Sequence, residues 1–431
     1  MPMSSSFQKR LFPRLPMIVE KFGSPFHIYD ERGIRDGLRR LNVAFANQGL
    51  EFREYYAVKA LPKPAIMDII LSEWCGFDCS SIPELRLARG AGARPEDIMF
   101  TSNNTSFEEF HEALCRGGCI LNIDDESLID KIPGRFPQLI CFRVNPGHRK
   151  TGNEVNTIIG DPVDSKYGVP IESIVSVYKK AMQKGAKIFG LHTMVCSNDL
   201  NYRHMVSTAR ILFEVAADLK RQLGISLEFI NMGGGIGIPY RPDQKEFEIE
   251  LFARACRGLT DEFEKKIQYV PKLFLESGRW VTGPHGVLVN KVINVYKKYK
   301  QFIGVEVAMP GLMRVGMYAT AYHHCTLLDA NGVIKDGVLS EQTVAGSICE
   351  NCDVLAKNIL LPTAEVGDIM ITADTGAHGS AMGFNYNGRL RPQELLLCDD
   401  GTVRRICRGE TYEDLNVRHL GLDGPEHVLS W

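Results

Sequence analysis

A (β/α)8 barrel followed by a β domain is the fold that the sequence predicts, which places the chain in the α/β plus β class. Between about residues 50 and 280, short apolar runs alternate regularly with amphipathic stretches. After about residue 283 the pattern changes to short strand-like runs separated by turn residues. The chain has 431 residues, of which 44% are hydrophobic and 24% charged, so it is long enough to build two globular domains.

Eight candidate strands form the first region, and most are apolar throughout, as expected for parallel strands that are buried on both faces. Eight strands that alternate with helices predict a closed barrel, or TIM barrel, whose reactive side chains gather at the carboxyl ends of the strands. The predicted strands are Arg53–Val58, Gly76–Cys79, Ile98–Thr101, Ile120–Ile123, Leu139–Val144, Phe189–Met194, Phe229–Met232 and Leu273–Leu275.

The intervening helices are predicted from spacing and from capping residues. Ser81 and Glu84 have the spacing of a capping box, and Gly90 is placed to end the helix that follows them. Apolar residues three and four positions apart define one buried helix face before the first strand, at Ile34, Leu38, Leu41 and Phe45.

The second region is predicted to be a β-sandwich or β-barrel domain, with Asp400-Gly401 as a typical hairpin turn. We place the barrel at residues 26–283 and the β domain at residues 1–25 and 284–431, joined so closely at Gly283-Pro284 that the two should pack together. The predicted strands of the β domain are Val287–Val295, Thr326–Leu328, Ile369–Thr372, Glu394–Leu397 and Val403–Cys407.

Charge and hydropathy exclude two classes of partner. Lysine and arginine total 50 against 52 aspartate and glutamate residues, so no broad surface for nucleic acid is expected. No apolar run approaches the roughly 18 residues that a membrane-spanning helix needs.

The segment before Glu20 is basic and free of acids, like an organelle transit peptide, but Pro13 and Pro16 argue against an amphipathic helix or a secretory signal. A plain N-terminal arm and a cytoplasmic location are therefore predicted.

The 12 cysteines are scattered along the chain and predict reduced thiols rather than disulfides. His323-His324 is interpreted as part of a strand at the domain junction rather than as metal ligands. Some cysteines form close pairs, but no histidine cluster or second pair completes a tetrahedral set, so no metal site is predicted. These pairs are Cys75 and Cys79, Cys115 and Cys119, and Cys349 and Cys352.

Lys59 ends the first predicted barrel strand, in the segment Tyr55-Tyr-Ala-Val-Lys59. Desolvation at the barrel rim would disfavour the ammonium form and make the amine a nucleophile toward aldehydes. Taken alone, the segment favours a lysine that simply extends from the strand end into solvent.

Two further segments follow late strands. Gly233-Gly234-Gly235 comes after the seventh strand, where backbone N–H groups can converge on a phosphate, although such a run can also be a tight turn. Glu276 and Arg279 close the eighth strand, where a carboxylate could pair with a pyridinium nitrogen. The alternative is an internal ion pair between Glu276 and Arg279.

These segments occur in the order found in the fold-type III pyridoxal-phosphate decarboxylases, the alanine racemase-like barrel group. Over nearly its whole length the chain resembles the diaminopimelate decarboxylases of that group. The segments that match are Phe26-His-Ile-Tyr29, Asp78-Cys-Ser-Ser, Arg143-Val-Asn-Pro146, Ser165-Lys-Tyr-Gly168, Arg314-Val-Gly-Met-Tyr318, Cys349-Glu350, Gly376-Ala-His378 and Tyr386-Asn387.

The resemblance implies an enzyme with pyridoxal 5′-phosphate as its cofactor. Lys59 would bind the cofactor aldehyde, Glu276 would face the pyridine nitrogen, and Cys349 would donate a proton near the substrate Cα. The other residues implied in cofactor binding are Asp78, His192, Met194, Gly233, Gly234, Gly235, Gly278, Arg279 and Tyr386. Those implied in substrate binding are Arg279, Arg314, Tyr318, Glu350 and Tyr386.

The resemblance also implies a homodimer, in which Cys349 and Glu350 reach into the barrel of the other subunit. The chemistry agrees with these roles. Decarboxylation leaves an electron pair on Cα that a protonated ring can delocalise, so a carboxylate is required at Glu276. The carboxylate that leaves should not be held by a strong cation, so Arg314 is expected at the far end of the substrate.

Three positions depart from the family pattern. Met194 replaces a histidine that stacks on the cofactor ring, His378 replaces a tyrosine, and Ser277 replaces a proline. A thioether can pack on an aromatic face, so cofactor binding is expected to survive. The departures therefore concern the substrate more than the cofactor.

Decarboxylation of meso-2,6-diaminopimelate to L-lysine and carbon dioxide is the leading hypothesis. The alternative is a decarboxylase of another amino acid with a polar or carboxylated far end, in a siderophore, natural-product or carboxylated polyamine pathway. An inactive regulatory protein is a third hypothesis, against which Lys59, Glu276 and Cys349 together argue. A racemase is disfavoured because Cys349-Glu350 stands where racemases of this fold have a tyrosine.

Overall fold

The computed structural model describes residues 3–147 and 162–419. Two sheets organise them: a closed parallel barrel and a separate mixed sheet. The fold class predicted from the sequence is therefore confirmed. In the described part of the chain, no helix is both long and apolar enough to cross a membrane.

Two short helices begin the chain and pack on the mixed sheet. They are α1 (Ser5–Leu11) and α2 (Leu15–Phe22), and their buried residues share one apolar cluster with the sheet. The expectation that prolines prevent helices here is wrong. Pro13 lies at the start of a 3₁₀ turn and Pro16 in the first turn of α2, where a missing N–H breaks no hydrogen bond.

The strand β1 (Phe26–Asp30) follows the arm, and all five of its side chains are buried. It pairs antiparallel with residues 286–289 and parallel with residues 393–397. The predicted barrel range began at residue 26, but these hydrogen bonds make β1 part of the mixed sheet. The helix α3 (Glu31–Ala46) comes next and buries its predicted apolar face, as Ile34, Leu38, Leu41 and Phe45 are inaccessible to solvent.

The barrel strands lie close to their predicted positions. They are β2 (Phe52–Ala57), β3 (Gly76–Cys79), β4 (Ile98–Phe100), β5 (Ile120–Ile123), β6 (Leu139–Asn145), β7 (Val169–Pro170), β8 (Ile188–His192), β9 (Phe229–Asn231) and β10 (Lys272–Leu275). Eight of them form the closed ring, while β7 pairs only with the end of β6. The ring closes between β10 and β2, the last and the first barrel strands in the sequence.

Helices pack around the outside of the barrel. Ser81 caps the helix after β3 as predicted, by accepting the N–H of Glu84, whereas the Glu84 carboxylate accepts the N–H of Ser80. Gly90 is the last residue of that helix rather than the residue beyond it. The helices are α4 (Pro64–Ser72), α5 (Ile82–Gly90), α6 (Phe107–Leu114), α7 (Ile174–Lys184), α8 (Tyr202–Leu223), α9 (Ile249–Ile267) and α10 (Arg279–Thr282).

The mixed sheet contains β1 and the strands of the second region. Within the described residues these strands are β11 (Gly286–Lys297), β12 (Gln301–Val305), β13 (Cys325–Leu328), β14 (Ser340–Ala345), β15 (Val354–Leu361), β16 (Ile369–Thr372), β17 (Gln393–Leu397) and β18 (Val403–Cys407). All five predicted strands are among them, and β12, β14 and β15 were not predicted. The path of the sheet runs β15, β14, β12, β11, β1, β17 and β18, and β16 pairs with both β11 and β13. The second region also contains two short helices, α11 (Arg314–Met317) and α12 (Tyr412–Asn416).

Candidate active site

An apolar plug fills the interior of the barrel and supports a polar layer above it. Because strand side chains alternate with a period of two, residues two positions beyond the plug point inward again. This alternation brings Arg143, Asn231 and Glu276 to the carboxyl ends of their strands, where all three are buried. The plug consists of Tyr55, Met99, Ile120, Cys141, Phe229 and Phe274.

A cavity of about 300 Å³ opens above the polar layer, with the mixed sheet on its far side. It brings together predicted residues from both domains. Further lining residues, for which no role was predicted, are Ser80, Thr101, Asn103, Arg143, Tyr167, Ser197, His378 and Met382. The predicted residues that line it are Lys59, Asp78, His192, Met194, Glu276, Arg279, Arg314 and Tyr318.

Lys59 lies in the 3₁₀ turn Val58–Ala60, directly after β2. Its side chain is exposed at the cavity, so the predicted desolvation is not seen. Gly278 packs against this turn, because a Cβ atom at Gly278 would lie 2.8 Å from the Cβ of Ala60. The turn therefore directs the amine toward the cavity. The absence of a side chain at Gly278 allows the segment after β10 to pack closely against this turn.

Glu276 is held by two neighbours on the floor of the cavity. Its Oε1 accepts a hydrogen bond from Asn231 Nδ2 at 2.7 Å, and its Oε2 accepts one from His192 Nε2 at 3.1 Å. Burial alone raises the pKa of Glu276, but interactions with His192, Asn231 and Lys59 outweigh it and hold the pKa below its ordinary value. Glu276 is thus an ionised carboxylate, and its partners are not Arg279, contrary to the alternative considered from the sequence.

Asp78 is a second buried carboxyl group in the cavity, and its pKa is shifted in the opposite direction from that of Glu276. Burial and the negative charge of Glu276 raise the pKa of Asp78 well above its ordinary value, which favours the neutral form of this carboxyl group. Within the described residues, Asp78 Oδ1 and His192 Nδ1 have no hydrogen-bond partner although both atoms are buried. Buried polar atoms without partners are costly, so both atoms indicate a ligand that completes the site.

Two arginines face the cavity from its mixed-sheet side. Arg279 donates to Tyr240 Oη at 2.6 Å, and the guanidinium of Arg314 lies 4.5 Å from the centre of the Tyr240 ring. Arg314 also donates to His323 Nε2 at 2.9 Å, while His323 Nδ1 donates to the carbonyl of Ala373. Burial and the charge of Arg314 lower the pKa of His323 to about 3, so it is a neutral acceptor. Among the described residues, no carboxylate forms an ion pair with either arginine.

His323 therefore helps to hold Arg314 in place beside the cavity. It contacts Tyr240 and so lies at the predicted domain junction, but it precedes β13 and is not part of a strand, contrary to the prediction; it is 1% exposed. Residues 3–147 and 162–419 contain no group of three or more His, Cys, Asp or Glu side chains arranged to hold a metal ion.

The glycine run lies beside the cavity, against neighbouring strand ends. Gly233 has φ +69°, and a Cβ atom there would lie 2.3 Å from the carbonyl oxygen of Thr193. At Gly235, with φ +108°, a Cβ atom would lie 2.6 Å from the carbonyl oxygen of Cys196. Only glycine fits this close packing. In the described part of the chain, the N–H groups of Gly234 and Gly235 donate to no protein acceptor.

Three predicted residues lie away from the cavity of their own chain. Cys349 and Glu350 are exposed, and Tyr386 is 53% exposed. The N–H of Cys349 donates to Asn387 Oδ1 at 2.7 Å, so the two segments that carry these residues lie side by side. They form a single exposed patch on the β domain.

Comparison with known proteins identifies the family of this site. The sequence model of the pyridoxal-dependent decarboxylases, for their pyridoxal-binding domain, matches residues 32–283, more than half of the chain. The chain belongs to the pyridoxal-dependent decarboxylases. It is thus an enzyme that uses pyridoxal 5′-phosphate to remove carbon dioxide from a small-molecule amino acid.

Relatives of this decarboxylase match along almost the entire chain. Protein TabA of Pseudomonas amygdali pv. tabaci is 45% identical over 415 residues, which cover 96% of this chain and 95% of that protein. A diaminopimelate decarboxylase of Methanothermobacter thermautotrophicus is 32% identical over 408 residues, with 92% of each chain covered. The crystal structure of a diaminopimelate decarboxylase from M. jannaschii in complex with L-lysine superposes with a TM-score of 0.86, at 28% identity and with 94% of each chain covered.

The residues of the decarboxylase fit its cofactor. An ionised, hydrogen-bonded Glu276 suits a protonated pyridine nitrogen, and the exposed amine of Lys59 suits an aldehyde. The lining also carries more basic than acidic groups, because Lys59, Arg143, Arg279 and Arg314 outnumber the carboxyl groups of Asp78 and Glu276. Such an excess of positive charge suits a phosphate-bearing ligand.

Three of the eight lining residues without a predicted role are Arg143, Tyr167 and His378. The Arg143 guanidinium lies 4.5 Å from the centre of the Tyr167 ring and donates to the carbonyl of Met194 at 3.2 Å. Burial and the charges of Arg279, Lys59 and Arg314 hold the pKa of His378 well below its ordinary value, so it is neutral. Arg143 was detectable as a basic residue in an otherwise apolar strand, the same signal that marked Lys59.

Proposed function

We propose that the protein decarboxylates meso-2,6-diaminopimelate to L-lysine. The observation that carries this proposal is the Arg314 side chain, which is 4% exposed and lines the cavity, and which within the described residues donates to the neutral His323 and lies over the Tyr240 ring without forming an ion pair. A buried guanidinium is stabilised by an anion, and the carboxylate at the far end of diaminopimelate is an anion that can bind it bidentately. Ornithine and lysine have no second carboxylate and would leave Arg314 unpaired.

In this proposal, the bound cofactor supplies a ring that accepts the electron pair left on Cα as carbon dioxide departs. Lys59 holds the cofactor by its aldehyde, and Glu276 keeps the pyridine nitrogen protonated. The free N–H groups of Gly234 and Gly235, with Gly233 shaping the loop, bind the phosphate. Four lining residues shape the pocket around the ring in this proposal, Asp78, His192, Met194 and Arg279, and Gly278 allows close packing behind the Lys59 turn.

Substrate selection is assigned to residues remote from the reacting bond. Arg314 and Arg279 bind the far carboxylate together with Tyr318. Because no strong cation is then needed at the carboxylate that leaves, its departure is not opposed by tight binding in the ground state.

We expect Arg314→Gln to raise KM for diaminopimelate about 100-fold with a smaller change in kcat, because a charge-assisted bidentate contact is lost. Steady-state kinetics of carbon dioxide release measures both constants. Arg241→Gln is the matched control, since Arg241 also lies over an aromatic ring, that of Tyr322 at 4.3 Å, but does not line the cavity. An unchanged KM in Arg314→Gln would remove the main support for a substrate with a far carboxylate.

We further propose a homodimer in which the exposed patch of Cys349, Glu350 and Tyr386 completes the cavity of a second copy. The exposure of this patch and its distance from the cavity of its own chain support the proposal. Cys349 would donate the proton that replaces carbon dioxide on Cα, and Glu350 would bind the far ammonium group.

All 12 cysteines are free in the structure, which supports a cytoplasmic location.

Mixing two inactive variants tests the shared site. Lys59→Ala and Cys349→Ala subunits, unfolded together and refolded as mixed dimers, are expected to regain up to about a quarter of the wild-type activity, because half of the dimers are mixed and each of these has one intact site. Light scattering or sedimentation gives the oligomeric state, and carbon dioxide release gives the activity. Mixed dimers without activity would place each site within one subunit.

A second candidate is a decarboxylase of a different amino acid with a polar or carboxylated far end. Met194 and His378 favour it, since both line the cavity and both depart from the diaminopimelate decarboxylase pattern. A panel of diaminopimelate stereoisomers, lysine, ornithine and carboxylated polyamines decides between the two. We expect the highest kcat/KM with the meso isomer, and turnover confined to another compound would support the second candidate.

A further inference from the structure

Glu54 is a buried carboxyl behind the active site, outside the cavity. It lies on β2 beside Leu275 of β10 and is 0% exposed. Neighbouring residues on β2 show which way it points. Tyr55 joins the plug inside the barrel, so Glu54 faces the layer between the strands and the helices. From there it reaches the backbone just past the end of β10.

The Glu54 carboxyl group is hydrogen-bonded to Ser277, the residue that follows Glu276. Its Oε1 accepts the N–H of Ser277 at 2.5 Å, while the carbonyl of Ser277 accepts the N–H of Ala57 at 3.4 Å. On the other side, the N–H of Glu276 donates to the carbonyl of Gly233 at 2.9 Å. The peptide that sets the direction of the Glu276 side chain is therefore held from three sides.

The hydrogen bond to Glu54 is possible because residue 277 has a backbone N–H group. A proline has no N–H, but its ring fixes φ near −65° without help from a neighbour. A serine leaves φ free, so an external contact must hold the backbone in place. Glu54 supplies that contact in this chain.

We infer that Glu54 is a positioning residue for Glu276, which it acts on through the backbone of Ser277. The pair Glu54 and Ser277 does here what a single proline at position 277 can do by itself. Glu54 touches neither the cavity nor a reacting atom, so its contribution is the placement of the carboxylate that faces the cofactor ring.

The protonation of Glu54 is consistent with this role. Burial, together with the charge of Glu276, raises the pKa of Glu54 to about 8 against the hydrogen bond from Ser277. Cys75 is a further titratable neighbour, and burial raises its pKa well above its ordinary value. At neutral pH Glu54 is thus a carboxylic acid, which adds no second negative charge behind Glu276.

Cofactor affinity of purified apoenzyme, measured by fluorescence titration with pyridoxal 5′-phosphate, tests the inference. Glu54→Leu is expected to weaken binding at least about tenfold, the cost of one lost buried hydrogen bond. Glu54→Gln keeps an acceptor of the same shape and is expected to stay within about threefold of wild type.

The decisive variant is the double substitution Glu54→Leu with Ser277→Pro. The proline replaces the lost restraint, so the double variant is expected to bind the cofactor within about threefold of wild type. A Glu54→Leu protein that binds as tightly as wild type would overturn the inference, and so would a double variant no better than Glu54→Leu. If Glu54→Leu alone does not fold, a folded double variant that binds the cofactor supports the inference, and an unfolded one overturns it.

A pH series of thermal unfolding of the apoenzyme gives a second readout. A carboxyl with a raised pKa binds its proton more tightly in the folded state, so its contribution to stability is lost as pH rises toward 8. Glu54→Gln cannot ionise, so its unfolding midpoint is expected to rise relative to wild type between pH 5 and pH 8. An equal difference at both pH values would contradict the protonated state of Glu54.

Discussion

Replacing Lys59 by alanine is expected to abolish covalent attachment of the cofactor and to lower decarboxylation on the order of 10⁴-fold or more. Lys59 is the one lysine among the described residues that line the cavity, so no neighbouring amine can replace it. Absorbance spectra of the purified protein, and the mass of the Lys59 peptide after reduction with borohydride, measure attachment directly. Lys59→Arg is expected to fail in the same way, because it keeps the charge but does not react with the aldehyde.

Lys63 offers a matched control four residues further along the chain. Its Nζ lies 2.5 Å from Glu394 and does not line the cavity. Lys63→Gln should retain the absorbance of the attached cofactor even if the protein becomes less stable. A Lys59→Ala protein with the wild-type spectrum would show that another amine holds the cofactor, and the assignment of the whole site would then be wrong.

Glu276→Gln is expected to lower kcat by about 10²- to 10³-fold while the protein remains folded. Glutamine can keep its oxygen as the acceptor for Asn231 and can donate its NH₂ group to His192 Nε2 once the imidazole adopts the other tautomer, but it has no charge to keep the pyridine nitrogen protonated. The change should also shift the absorbance of the bound cofactor. Glu228→Gln serves as the control, because Glu228 pairs with Lys272 at the far end of the barrel strands.

The pH dependence provides a further check on Glu276. Because its pKa lies below the ordinary value, the carboxylate stays charged when the pH falls through the usual range of a glutamate. The acid limb of the kcat profile should therefore lie below that range. A limb that coincides with the ordinary pKa of a glutamate would mean that His192 and Asn231 do not stabilise the charge.

The barrel could be predicted because its strands are buried on both faces and read as continuous apolar runs. The mixed sheet was harder to predict, because some of its strands are only partly buried and lack a continuous apolar run. Ser340–Ala345 begins with polar, exposed residues and ends in buried ones, so it carries no continuous signal. The place of β1 depends on hydrogen bonds to strands at the opposite end of the sequence, which no local pattern encodes.

Much of the cavity lining was predictable because a charged residue at the end of an apolar strand is conspicuous, as at Lys59 and Glu276. Arg143 shows the same signal, but the matching family motif that contains it led to no predicted role for this residue. Glu54 could not be predicted at all. Its importance depends on the N–H of Ser277, and the two residues become neighbours only when β2 and β10 pair.

That pairing has a consequence for how the enzyme is made. Lys59 follows the first barrel strand and Glu276 the last, yet these strands are adjacent in the closed ring. Lys59 leaves the ribosome long before Glu276 has been translated, so a nascent chain carries the proposed cofactor-binding amine without its proposed partner carboxylate. If both residues bind the cofactor as proposed, we expect stable loading only after the last barrel strand has been made.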